Sequence, residues 1–148
     1  MKALFLANIV SSLFLTCLIW VVQLVHYPSF QFWGSRIAEA HAFHSTRISI
    51  IVVPLMLLEL ASSFALSVSD VPLKGWHQTG FVIVLLIWIL TFFFIVPVHT
   101  MIPKVLSPEP SIDSLVSLNM GRTILWTVKS FIGVYLLWEY ISGIESST

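Results

Sequence analysis

Charge is scarce in this chain. Seven lysines and arginines and seven aspartates and glutamates make up 9% of its 148 residues and cancel to a formal net charge of zero, where a soluble domain carries about 25%. That scarcity excludes a nucleic-acid partner, because no basic patch is left to neutralise phosphates. Cysteine is nearly missing as well. Cys17 stands alone, which rules out an intramolecular disulfide and two-cysteine redox chemistry; lying inside an apolar run, it is expected to serve packing. Internal repeats and low-complexity stretches are absent. What fills the chain is apolar: 57% of residues are hydrophobic and the mean hydropathy is +0.96.

The apolar residues fall into four runs, about residues 3–25, 48–68, 80–98 and 120–141, each near the ~20 residues that a membrane helix needs. The first run is longer than the ~7–15 residues of a signal-peptide core and lacks a small-residue cleavage site, so it is read as a retained helix. A membrane β-barrel would need alternating strands of ~10 residues, and these runs are continuous. The expected fold class is therefore all-α: one integral membrane domain, a four-helix transmembrane bundle with both termini on the same side. Tyr27-Pro28 is expected to end the first helix. Residues 69–75 form a tight Pro/Gly turn. Pro103, Pro108 and Pro110 break the third connection, after which Ser111 with Asp113 reads as an N-cap and first-turn acid.

Four crossings return the chain to its starting side. One face of the bilayer then collects His26, His41, His44, Arg47, His99, Asn119 and Arg122, while the other receives Lys74, His77, Glu145 and the termini. His77, beside Trp76, is expected to be an interface residue. Residues three or four apart share a helix face, so Asn8, Ser12, Thr16, Trp20 and Gln23 make one polar stripe leading to His26 or Tyr27. A second stripe runs through Asn119, Arg122 or Thr123, Trp126, and Lys129 or Ser130. Glu59 and Lys129 lie near mid-span at comparable depth. A central charge costs at least ~2.5–3.5 kcal/mol, so each should be paired, neutralised or set in a wet cavity, and a Glu59–Lys129 pair is expected. Arg36, Arg47, Lys104 and Arg122 outnumber Lys2 and Lys74, which favours a cytoplasmic histidine face.

Several chemistries suit this face. His41 and His44, three apart on a helix, are candidate metal ligands with Glu59 completing the shell, and facing histidines can also hold a haem axially. The candidate cofactor is thus a transition metal or a haem. The same residues equally suit a metal-free pocket for an organic ligand, or interfacial histidines without chemistry. Arg47 and Trp126 are candidate substrate-binding residues, although arginines at helix ends also snorkel to headgroups. His26, His99, Asn119 and Arg122 are the candidate catalytic set: the histidines shuttle protons, and Arg122 with Asn119 steadies a developing oxyanion.

Two stretches carry a resemblance. Val96-Pro97-Val98-His99 followed by Asn119-Met120-Gly121-Arg122-Thr123 is similar to the V-P-x-N … N-x-x-R-T ending of the anthrone-oxygenase-like family of small four-helix membrane proteins. The segments Val25-His26-Tyr27-Pro28-Ser29-Phe30 and Pro54-Leu55-Met56-Leu57-Leu58-Glu59, with His41, His44 and Arg47, resemble uncharacterised bacterial members of that architecture. His99 stands where the family usually has Asn. The resemblance implies four helices and oxygenation of a polycyclic phenolic anthrone to a quinone. It makes the expected function that of an oxidoreductase or oxygenase acting on a lipophilic phenolic or quinone-like small molecule, in a bacterial inner membrane. The competing expectation is a non-enzymatic membrane subunit or lipid-binding protein that grips headgroups or a partner. Membrane lipids are expected partners either way, and an oligomer is compatible with both.

Overall fold

The computed structural model describes residues 1–102 and 109–145. Pro103, Lys104 and Pro108, which figured in the loop and charge expectations, lie outside the described residues. Four helical segments make up the fold: α1 (Lys2–Phe32), α2 (Ile37–Val68), α3 (Lys74–Met101) and α4 (Glu109–Glu145). Each is long and apolar enough to cross a membrane, the architecture of an integral multi-pass protein. Each helix packs on its neighbours in sequence, and α1 closes the ring against α4. Phe5 touches both His77 and Tyr140, so the start of α1, the start of α3 and the end of α4 share one end of the bundle. His26, Tyr27, His41, His44 and His99 meet at the other.

The distribution of side chains is that of a protein dissolved in lipid. Asn8, Ser12, Gln23, Glu59, Asn119, Arg122 and Lys129 are buried, whereas Phe93, Phe131 and Trp138 are exposed. In water this arrangement would forfeit the hydrophobic driving force. In hydrocarbon it is the stable one, because polar groups then find partners only inside the bundle. Cys17 is exposed on this outer surface rather than packed.

The helices run longer than the apolar runs, and two of them contain a widened turn. α1 passes through a π-helical turn at Val22–His26 and α3 through another at Thr91–Ile95. In each the next amide reaches back five residues, Tyr27 N–H to the Val22 carbonyl and Val96 N–H to the Thr91 carbonyl. Both turns stand directly before an X-Pro step, Tyr27-Pro28 and Val96-Pro97. Proline lacks the amide donor and crowds the carbonyl four residues back, and a wider turn relieves that clash without ending the helix. Tyr27-Pro28 therefore does not terminate α1, contrary to the sequence expectation. Each extra residue rotates the remainder of its helix by about 100°, which turns Tyr27 inward. Ser111 is likewise not an N-cap, since α4 has begun by Glu109. Between α2 and α3 the tight turn holds, with Leu73 in the left-handed region at φ 56°.

Candidate functional site

Three helices build the histidine end around a chain of hydrogen bonds. The Tyr27 hydroxyl (α1) lies 3.0 Å from His99 Nε2 (α3), and His99 Nδ1 lies 2.7 Å from His41 Nε2 (α2). Both ring nitrogens of His99 are thus engaged. A neutral imidazole carries one N–H, so the chain has two polarities. Either Tyr27 donates to His99 and His99 donates to His41, or His41 donates to His99 and His99 donates to Tyr27. Switching between them moves one proton in at one end and one out at the other. Beside this chain His26 and His44 stack with ring centroids 3.7 Å apart, and buried Phe30 packs against His26, His41 and His44.

Arg122 is held from α4 by a second network. Its Nη1 donates to Asn119 Oδ1 (3.2 Å), Asn119 Nδ2 donates to Gln23 Oε1 (2.8 Å), and Gln23 Nε2 donates to the Val116 carbonyl (3.1 Å). The guanidinium lies 5.0 Å from the centre of the Trp126 ring, a cation–π distance, and next to the Tyr27 hydroxyl. Its Nε has no partner, although buried, and Trp88 Nε1 on α3 is a second buried donor without one. Native proteins leave few such groups.

Of the four buried side-chain atoms without a partner among the described residues, which include His26 Nε2 and Ser45 Oγ, those of Arg122 and Trp88 line one cavity, about 220 Å³ in volume. Its inner end is formed by Tyr27, His44, His99, Arg122 and Trp126, and its remaining walls are mostly aliphatic and aromatic. Ser49 and Val53 on α2 and Phe92 and Val96 on α3 line it while being exposed on the outer surface. The cavity therefore reaches the lipid-facing side between α2 and α3. An apolar chamber of ~150 Å³ accommodates benzene, so this one has room for a compact ring head whose tail projects through the gap.

The sequence-derived candidates separate into groups. His44, His99, Arg122 and Trp126 line the cavity. His41 and Asn119 stand behind it, holding His99 and Arg122 in place. His26 is only partly buried and its Nε2 has no partner, because the π turn has brought Tyr27 inward in its stead. Arg47 is exposed, rests over Phe43 at 5.3 Å and is not among the residues lining the cavity. Tyr27, four after Gln23, is the member of the His26-or-Tyr27 alternative that completes the α1 stripe. Trp88 is the lining donor that spacing does not single out.

The metal trio is also corrected. Glu59 comes fifteen residues after His44 on one continuous helix, roughly 22 Å along its axis, and it bonds instead to Ser12 and Trp126. Among the described residues no group of three or more His, Cys, Asp or Glu side chains is placed to hold a metal ion. Rings stacked at 3.7 Å or hydrogen-bonded at 2.7 Å leave no gap for a haem macrocycle between those pairs. The donor set thus fits neither group.

Glu59 and Lys129 do associate, but not directly. Lys129 Nζ donates to Ser12 Oγ (2.8 Å) and Asn8 Oδ1 (3.0 Å), and Ser12 Oγ donates to Glu59 Oε1 (2.7 Å). Trp126 Nε1 donates to the second carboxylate oxygen at 2.9 Å. The expected ion pair is therefore bridged by a serine hydroxyl. Compared with known protein families, characterised proteins and solved structures, the chain matches none.

Proposed function

We propose that this protein draws a lipophilic ring compound, phenolic or quinone-like, laterally from the bilayer and acts on it as an oxidoreductase. The observation that carries this reading is the pair of buried orphan donors, Arg122 Nε and Trp88 Nε1, in the walls of an apolar cavity open to lipid. Two donors on different helices suit a ring bearing acceptor oxygens, and a charged donor suits one that develops negative charge. The Tyr27–His99–His41 chain supplies the matching proton traffic. The resemblance to anthrone oxygenases supports an oxygenase form of the reaction. There an activated ring CH₂ and dioxygen become a ring carbonyl and water; Arg122 holds the ring oxyanion while the chain takes the first proton and returns it to the departing oxygen. A volume of about 220 Å³ favours a compact head over a three-ring system.

Binding of an alkylated benzoquinone and of the corresponding phenol to the protein in lipid nanodiscs tests this. One saturable site per chain is expected. A hydrogen bond to a charged group contributes about 1.5–3 kcal/mol, so Arg122→Gln should weaken binding about 10- to 100-fold. Uptake no greater than into protein-free nanodiscs, or undiminished binding by Arg122→Gln, would remove the basis of the proposal.

A further inference from the structure

The opposite end of the bundle holds a larger cavity, about 590 Å³, with Lys2, His77 and Glu139 among its polar walls. Beneath it lies a void of about 10 Å³, room for about one water. Phe5, Leu66, His77 and Leu136 border both spaces, so they adjoin, and Lys129 lines the inner one. Gly80 makes this possible. A Cβ there would stand 3.2 Å from Lys129 Cε, so the bare glycine gives the lysine stem room that any side chain would narrow by a few tenths of an ångström. From Lys129 the hydrogen bonds run through Ser12 to Glu59, at mid-bundle.

We propose that the network of Lys129, Ser12 and Glu59 is a proton-uptake path, filled through His77 from the end of the bundle opposite His41 and His99. In the step, Lys129 Nζ gives a proton to Ser12 Oγ as Ser12 gives its own hydroxyl proton to Glu59 Oε1. One N–H bond breaks and one carboxyl O–H bond forms, leaving a neutral amine and a neutral acid without any change of electrons. A proton entering from the outer cavity, handed on by His77 and a water in the void, restores the ammonium and leaves both relay groups as they began. The groups facing the pair are identifiable on every helix. α1 offers the uncharged Asn8 and Ser12, α3 offers His77, and α4 offers Trp126, with Arg122 one turn further. Asn8 Nδ2 donates to Ser62 and Ser63 at 2.9 and 2.8 Å, which aims its carbonyl oxygen at Lys129. The path stops at Glu59, because the indole of Trp126 is only a donor, and it stands whether or not a ring compound occupies the histidine-end cavity.

The test is time-resolved infrared spectroscopy of the full chain in phosphatidylcholine nanodiscs after photorelease of a caged proton. The protonated Glu59 carboxyl band is assigned by its loss in Glu59→Gln. Removing the relay hydroxyl in Ser12→Ala should slow its appearance about 10²-fold, and Ser12→Thr should restore the rate. His77→Phe should slow it comparably, and His41→Phe should not. Should Ser12→Ala not fold, His77→Phe, on a half-buried residue outside the network, decides the matter. No Glu59 band at any pH, an unchanged rate in His77→Phe, or slowing by His41→Phe would overturn the path.

Discussion

Replacing Lys129 by methionine is expected to cost the bundle about 3–5 kcal/mol, the range for breaking a buried charge arrangement by removing one partner. Lys129 is 3% exposed and Glu59 1%, so headgroups cannot take over. Without the ammonium, the Glu59 carboxylate keeps only the Ser12 hydroxyl and the Trp126 indole, and the Asn8 carbonyl loses its donor. The double variant Lys129→Met with Glu59→Gln should recover much of the loss. Glutamine still accepts from Trp126 and can donate to Ser12, and neither position then buries a charge. Unfolding in mixed micelles, tracked by circular dichroism, supplies the four corners of the cycle. A coupling between about 0.5 and 3 kcal/mol is the ordinary range for residues in one network. Additive losses would mean that the serine bridge does not join the two residues energetically.

Trp126→Ala is the second large effect, with an expected loss of about 3–5 kcal/mol from deletion of a fully buried indole. The residue is 1% exposed and does three things at once: it walls the histidine-end cavity, lies under the Arg122 guanidinium and donates to Glu59. Trp126→Phe keeps the ring face but removes the donor, leaving one carboxylate oxygen unpartnered at about 1–3 kcal/mol. The thermal stabilities should therefore rank wild type, then Phe, then Ala. Equal stability of the Phe variant and wild type would show that the indole N–H does not matter to Glu59.

The residues that could be read from sequence are those whose chemistry conflicts with their surroundings. Asn8, Ser12, Thr16, Trp20 and Gln23 stand out in an apolar run at spacings of three and four, and each does bond across to another helix. Asn119, Arg122, Trp126 and Lys129 obey the same logic on α4. Periodicity fails where the helix itself departs from 3.6 residues per turn. The π turn at Val22–His26 decides between His26 and Tyr27, which spacing leaves open, and its only signal is the X-Pro step, which reads as a helix end. Arg47 fails for another reason: charge alone does not tell an inward arginine from one at the headgroups, and Phe43, four residues earlier, gives its guanidinium a surface seat. Glu59 groups with His41 and His44 by residue type, although helix rise alone sets it roughly 22 Å from His44. The cavity and the orphan donor on Trp88 depend on how four helices meet, which no single span encodes.

Plugging the gap between α2 and α3 tests most directly that a ring compound enters there. Ser49 lines the cavity and is exposed on the lipid side, so Ser49→Trp should fill the mouth at little cost to the fold. Titration with the alkylated benzoquinone in nanodiscs should give one saturable site for wild type and none for Ser49→Trp, with identical far-ultraviolet circular dichroism. Wild-type binding by the plugged variant would contradict a cavity loaded from the bilayer.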